Sequence, residues 1–446
     1  MTSGPIAQVV VLGDVGHSPR MQYHALCLCE KKFKVQMIGY AGSPVIEKLS
    51  GHPQFLGVVG LQKFPVISFI PRTVNVVFKV LFEVMQLLWI LLSSPRARLF
   101  ICQTPPAIPT LAVVGLAAKT RGVPVIFDFH NLAYTLMGKF EARDAATPFI
   151  RAAYFIEKFS ARLFCRAGLV VSQHMRRFLE TEWGLNGLHV LYDRPGPQFN
   201  GRAKNRVSAL ASLDGEKFDD FVSVSESKPT LATYDFILVS GTSWTPDEDF
   251  GLLLRSCAIL DQEIKRYHLE MVQSGLSGAI PRSHCGEPTK IPKLLLFITG
   301  KGPGKADFVS AFRRLSLRYI DLCTSWLPAE QYPVLLSVAD LGLSLHASSS
   351  GLDLPMKVVD MIGAELPVLS KRFEAIGELV TSDVGRLFDT EDELAEHIFE
   401  LTYGGMVEAR VEMQEGASKK RKITFEKGWQ QVMKEPGLAE LVVVSS

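Results

Sequence analysis

Short apolar runs rich in β-branched residues recur at 8–12, 33–39, 99–102, 124–127, 169–172 and 189–192, each divided from the next by a helix-length segment. Strands that alternate with helices predict a parallel sheet, because consecutive parallel strands need a crossover long enough to hold a helix. The pattern stops at 201–233, a polar stretch rich in Ser, Lys, Asp and Glu, and restarts with strands at 236–240, 294–299, 318–323, 341–346, 367–370 and 386–388. Two Rossmann-like α/β domains are expected: 1–200, a linker or insertion over 201–233, a second domain over 234–415, and a closing helix in 416–446 that returns to the first domain. A chain of 446 residues suits two such cores.

Composition narrows the function. With 48 basic against 46 acidic residues the net charge is +2, so no whole-chain field points to nucleic acid. The cysteines Cys27, Cys29, Cys102, Cys165, Cys257, Cys285 and Cys323 are scattered, odd in number and without a Cys-x-x-Cys pair, which fits buried thiols in a reducing compartment. The N-terminal residues lead into a strand without a charged leader and apolar core, so a cytosolic start is expected. The run 74–92 is apolar except at Asn75, Lys79, Glu83 and Gln86, which fall on one helical stripe. Spanning a bilayer would bring Lys79 and Glu83 near mid-depth at roughly 3 kcal/mol each. It reads as an amphipathic helix, either packed in the first domain or seated in a leaflet.

In open α/β sheets ligands sit beyond the carboxyl ends of the strands, and four such loops carry unusual chemistry. Gly13-Asp14-Val15-Gly16-His17-Ser18-Pro19 follows the first strand. Its glycines allow a phosphate or sugar to approach the backbone, or serve a tight turn, and the spacing is not G-x-G-x-x-G. Asp128-Phe129-His130-Asn131 puts a titratable pair and an amide at a strand tip, suited to hold a sugar or move a proton. In the third loop, Asp247-Glu248-Asp249 matches a metal-holding D-x-D pattern. Thr245 as N-cap, Pro246 at N1 and Glu248 at N3 instead form a capping box, which leaves the hydroxyls and N–H groups just before them to bind a diphosphate. In the fourth, a Ser/Gly loop, 346–351, leads to a helix with Pro355 at N1 and with Lys357 and Asp360 on one face. The lysine can neutralise phosphate and the carboxylate can accept from ribose hydroxyls, or the two form a surface salt bridge.

Together, Gly13-Asp14-Val15-Gly16, Ser18-Pro19-Arg20-Met21-Gln22-Tyr23-His24-Ala25, Ser243-Trp244-Thr245, Gly300-Lys301-Gly302-Pro303 and the segment 348–360 resemble the chitobiosyldiphosphodolichol β-mannosyltransferase family, over about 9–429. The resemblance implies a GT-B glycosyltransferase, α/β, with two Rossmann-like domains facing each other across a cleft. It implies inverting transfer of mannose from GDP-mannose to the second GlcNAc of GlcNAc2-diphosphate-dolichol, in a β1,4 link, at the cytosolic face of the endoplasmic reticulum membrane. Asp128-Phe129-His130-Asn131 is similar to the family's Asp-Trp-His-Asn, and Pro355-Met356-Lys357-Val358-Val359-Asp360 to Pro-x-Lys-x-x-Glu, while Asp353 lies one residue short of a Glu-x7-Glu spacing.

On this reading the donor contacts are Gly16, Ser243, Trp244, Lys301, Ser349, Ser350, Gly351, Leu352, Lys357 and Asp360, and the acceptor contacts are Arg20 and Asn131. The base is Asp14 or His130, Asp14 being favoured, with Glu248 and Asp353 left open. No metal site is assigned and no cofactor is obligatory, although a divalent cation (Mg) is allowed for. A membrane surface and other dolichol-pathway glycosyltransferases are the further partners, nucleic acid is not. Family members often begin with a membrane-spanning anchor that this chain does not show, which raises the weight of 74–92. The alternatives are a GT-B mannosyltransferase acting on a different lipid-linked acceptor and a non-catalytic scaffold. A scaffold would be expected to lack the charged residues Asp14, Arg20, His130, Lys357 and Asp360, and all are present.

Overall fold

The computed structural model describes residues 4–65, 71–140, 147–214, 218–223, 230–231, 234–245, 248–273, 293–346 and 348–442. They form two compact units, Met1–Asp193 with Phe425–Ser446, and Arg194–Thr424.

The first unit runs β1 (Ile6–Asp14), α1 (Pro19–Glu30), β2 (Lys34–Tyr40), α2 (Glu47–Ser50), β3 (Phe55–Gly60), α3 (Arg72–Ser93), β4 (Leu99–Thr104) and α4 (Thr110–Arg121). It continues with β5 (Val125–Phe129), α5 (Ala133–Phe140), α6 (Pro148–Phe164), β6 (Ala167–Val170), α7 (Gln173–Thr181) and β7 (Leu188–Val190). The strands pair in the order β3-β2-β1-β4-β5-β6-β7, every pair parallel. β3 is not among the expected strands, because Gly57 and Gly60 interrupt its apolar run. Right-handed crossovers carry α3, α4 and α6 to one side of the sheet, where α4 packs on both, and α1 and α2 to the other. A Cβ on Gly115 of α4 would overlap the Phe164 ring of α6, so the glycine sets how closely those helices approach. The closing helices Phe425–Val432 and Ala439–Val442 and the residues between them bring Phe425, Trp429, Met433, Leu438 and Val442 into the core beside Met21 and Ala25 of α1.

The second unit runs α8 (Arg206–Asp214), β8 (Asp220–Val222), β9 (Phe236–Gly241), α9 (Phe250–Gln273), β10 (Leu294–Thr299), α10 (Lys305–Leu315) and β11 (Ile320–Ser325). Then follow α11 (Gln331–Val338), β12 (Leu341–Ser344), α12 (Met356–Gly363), β13 (Val368–Lys371), β14 (Gly385–Phe388), α13 (Glu391–Thr402) and α14 (Val407–Arg421). The order is β14-β13-β12-β9-β10-β11-β8, parallel except for β8, which runs antiparallel to β11.

Three expectations change. The stretch 201–233 is no bare linker: it supplies α8 and β8, and Leu210, Leu213 and Leu231 are buried in the second core. Its few apolar residues are too widely spaced to show a period, yet enough to pack. The unit boundary falls at Asp193, and the return to the first unit begins at Phe425, leaving α14 with the second. The run 74–92 is not packed inside the domain: Val77, Met85 and Trp89 of α3 are 58%, 71% and 72% exposed. Every described cysteine is buried as a free thiol, and Cys285 lies outside the described residues.

Within α6, Glu157 is buried and accepts the N–H groups of Ala133 and Tyr134 at 2.9 and 3.0 Å, satisfying the start of α5. Burial pushes its carboxyl from an ordinary 4.5 up to about 7, the two N–H donors only partly opposing this. The folded chain therefore holds a proton that the unfolded chain has released, so this group's stabilisation is present below 4.5 and is lost as pH rises through about 7. Thermal denaturation of Glu157→Gln should accordingly show the variant gaining on the wild type between pH 5 and pH 8.

Candidate functional site

Asp128, the penultimate residue of β5, is completely buried. Burial pushes its carboxyl up, but Arg20 and His130 outweigh this and hold it well below the usual carboxylate range. Arg20 of α1 donates from Nε and Nη2 to the two carboxylate oxygens at 2.7 and 2.8 Å. Its Nη1 donates to Leu191 O at 2.8 Å and to Asp193 Oδ1 at 3.0 Å. The expected role of Arg20 as an acceptor contact is thereby corrected: its guanidinium is buried and committed to the interior of the unit.

His24, one turn further along α1, lies with Nε2 at 3.0 Å from Asp128 Oδ2, while its Nδ1 accepts from Trp429 Nε1–H at 3.0 Å. An indole N–H can only donate. His24 is therefore neutral with its proton on Nε2, consistent with burial lowering its pKa. His130 approaches the same Asp128 oxygen through Nε2 at 2.8 Å and keeps 22% of its side chain exposed. Since an ionised carboxylate only accepts, His130 presents an Nε2–H to it. Beside it, Asn131 Oδ1 accepts from Leu132 N at 2.8 Å.

Asp14 is engaged by its own loop and by the loop that follows β2. Oδ1 accepts from the N–H groups of Gly16 and Ser43 at 3.0 and 3.1 Å, and Oδ2 from the Ser43 hydroxyl at 2.9 Å. Burial pushes its carboxyl up, but these donors prevail and leave it below the ordinary value. A Cβ on Gly16 would overlap Ser43 and the Pro44 carbonyl, so this glycine packs one loop against another.

In the second unit, β12, β9, β10 and β11 are neighbours, and the loops that follow them border one edge of the sheet. Trp244, expected at the donor, is 1% exposed, with its ring stacked on Phe250 at 4.8 Å and its Nε1 donating to Gly300 O at 3.1 Å. Burial corrects that assignment: the tryptophan supports the site from beneath. A Cβ on Gly300 or Gly302 would overlap the carbonyl of Thr242 or Ser243, so only glycine lets the two loops meet backbone to backbone. Ser243 and Lys301 are exposed, and the Lys301 ammonium lies 3.7 Å from the centre of the Trp326 ring.

Glu248 does not form the expected capping box. The helix starts at Phe250, with Asp249 Oδ1 accepting from Leu252 N at 2.8 Å. Glu248 is buried and accepts from Lys357 Nζ at 2.6 Å, from Ser243 N at 3.3 Å and from the Thr242 hydroxyl. Pro246 and Asp247 lie outside the described residues. Asp353 shapes the serine loop: Ser348 and Ser350 donate to it, and the Ser348 hydroxyl accepts from Gly351 N at 2.9 Å. Ser349, Ser350 and Gly351 are half-buried at this edge, Gly351 with φ 73°. Leu352 is buried and its N–H is taken by Ser350, so it shapes the loop rather than meeting a ligand. Lys357 and Asp360 are half-buried on α12, which begins at Met356 after Pro355. Among the described residues no three His, Cys, Asp or Glu side chains gather as a metal site.

Sequence reasoning missed Glu248 as the partner of Lys357 and His24 as a partner of Asp128. Neither had a signal in spacing, since 109 and 104 residues separate the pairs.

Two Rossmann-like units, each with polar loops beyond its strands, have the architecture of the GT-B class. Solved structures share the fold: Anabaena Alr3699/HepE in complex with UDP and glucose, with a TM-score of 0.62 at 14% identity, covers 96% of this chain and 98% of its own. A glycosyltransferase from Rickettsia africae gives a TM-score of 0.58 at 10% identity, covering 97% and 99%. No protein-family model matches. Among curated proteins, the chitobiosyldiphosphodolichol beta-mannosyltransferase of Dictyostelium discoideum is 37% identical over 413 residues, 86% of this chain and 82% of that one. The human protein of the same name is 35% identical over 407 residues, 86% and 82%. UDP-glycosyltransferase TURAN of Arabidopsis thaliana is 34% identical over 448 residues, 92% of each. The chain belongs to the chitobiosyldiphosphodolichol beta-mannosyltransferase family.

Removing one partner of a buried ion pair leaves the other uncompensated, typically at about 3–5 kcal/mol. Arg20→Met should lower the urea midpoint by a corresponding amount, and Asp193→Asn, which touches only the rim of the network, by much less.

Proposed function

We propose that this chain transfers mannose from GDP-mannose to GlcNAc2-diphosphate-dolichol, forming a β1,4 link with inversion, at the cytosolic face of the endoplasmic reticulum membrane. The observation that carries this reading is the similarity, across 86% of the chain, to a curated enzyme named for that acceptor and linkage. The reaction is a single displacement: the acceptor hydroxyl attacks the anomeric carbon as GDP departs.

His130 takes the proton from that hydroxyl through Nδ1. Asp128 holds the proton on Nε2 and stabilises the imidazolium that forms, as a buried carboxylate beside a catalytic histidine does. Asp14 is the weaker base, since its oxygens are engaged by Gly16 and Ser43. Departing diphosphate charge is met by Lys357, Lys301, the 348–351 loop and the start of α12, with Ser243 at the margin. Asp360 accepts from the ribose hydroxyls. Glu248 keeps Lys357 oriented until phosphate shares its charge. No step in this scheme uses a divalent cation.

The test is to incubate purified protein with labelled GDP-mannose and a GlcNAc2-diphosphate lipid, with and without EDTA, and to digest the product with β-mannosidase. UDP-glucose is run in parallel, because the Arabidopsis relative is named as a UDP-glycosyltransferase. A β-mannosidase-sensitive trisaccharide lipid is the expected product, and transfer from UDP-glucose alone would overturn the donor. His130→Asn should lower kcat by about 10²–10⁴-fold with little change in the KM for GDP-mannose. Lys357→Ala should raise that KM and lower kcat together.

A further inference from the structure

The outward side of α3 and α6 is apolar where a water-facing helix should be polar. Leu81, Met85 and Trp89 of α3 are 52%, 71% and 72% exposed, and Phe155, Ile156 and Phe159 of α6 are 59%, 50% and 68% exposed. Their spacing puts each trio on one stripe of its helix. The polar stripe of α3 is turned the other way: Glu83 accepts from the Tyr40 hydroxyl at 2.7 Å, and Gln86 Oε1 accepts from Gln62 N at 2.7 Å. Between the two helices α4 packs on both, and its Arg121 donates to Leu91 O and, at 2.9 Å, to Ser94 O at the end of α3. The stripes therefore belong to one rigid surface, and an apolar surface of this extent marks an interaction site.

Charge identifies the partner. Arg151 and Arg162 are exposed on α6, while Lys79 of α3 pairs with Glu83 at 3.8 Å on the polar stripe. The acidic residues of α3, α4 and α6 are Glu83 and Glu157, and both are turned inward and hydrogen-bonded. Apolar stripes with cationic margins and no outward carboxylate match a leaflet that contains anionic phospholipid. A second copy docked through a two-fold axis would set the same cations against each other.

We infer that the face formed by α3, α4 and α6 seats in the headgroup region of an anionic phospholipid leaflet, with the helices lying along the membrane rather than crossing it. The segment Val74–Ser93, with mean hydropathy 2.0, is long and apolar enough to cross a bilayer. Crossing would tear Glu83 and Gln86 from their partners in the body of the unit. The inference rests on the proposed function in one respect: a lipid-linked acceptor is presented at such a leaflet.

The full chain is floated on density gradients with phosphatidylcholine vesicles and with vesicles that also contain phosphatidylserine. The wild type is expected to float with the anionic vesicles, and its Trp89 emission to shift to the blue and to be quenched by brominated acyl chains. Phe155→Ser with Phe159→Ser, and Met85→Ser with Trp89→Ser, should each weaken partitioning by ~10-fold or more. Arg151→Glu with Arg162→Glu should remove only the part that depends on phosphatidylserine. Circular dichroism and transfer to a short-chain, water-soluble acceptor should survive in all variants, which separates loss of the seat from loss of the fold. The inference is overturned by a wild type that stays at the bottom of both gradients, by apolar variants that float unchanged, or by variants that alter only self-association in sedimentation. A protein that floats but transfers nothing to the short-chain acceptor would overturn the proposed function and leave the membrane seat in place.

Discussion

Taking a carboxylate out of water costs several kcal/mol unless cations and donors surround it. Asp128, at the tip of β5, offsets that cost with the fork of Arg20 and with two histidines. Because Arg20 also grips Leu191 O and Asp193, a single charge ties α1 to the ends of β5 and β7. The half-exposed His130 therefore inherits its orientation from the interior and not from its own loop. A strand-end loop can in this way hold one ring nitrogen against a buried carboxylate.

The second unit solves the same positioning problem with backbone. Glycines at 300 and 302 admit carbonyl groups where any side chain would collide, and the buried Trp244 pins the junction through Gly300 O. On that platform Glu248 holds Lys357 by a hydrogen-bonded ion pair, with Thr242 and Ser243 N filling its remaining acceptor positions. A lysine on a flexible stem would otherwise lose side-chain entropy on meeting an anion. Here most of that ordering is already in place.

The parallel sheets were readable because buried strands are apolar throughout, as in β1 and β10, and because long crossovers leave helix-length gaps. β3 escaped because its glycines break the run, and α8 and β8 because scattered leucines in a polar stretch carry no period. At the candidate site the loops could be found from strand ends: His130 and Asn131 lie in one, and Lys357 and Asp360 on the helix that follows another. What no window of sequence contains is the partner of a charge. Arg20 and Trp244 looked like ligand contacts since their chemistry suits that use, and only tertiary packing reveals that Asp128 and Gly300 have claimed them.

The bond from Trp429 to His24 spans 405 residues, and it carries information as well as adhesion. By donating to Nδ1, the indole obliges His24 to present a proton, not a lone pair, to the buried carboxylate. A side chain near the end of the chain thus writes the tautomer of a residue near its beginning. Asp128, which as an ionised carboxylate only accepts, calls for the same Nε2–H, so Trp429 and Asp128 fix one tautomer from the two sides of the ring, at the hub that orients His130.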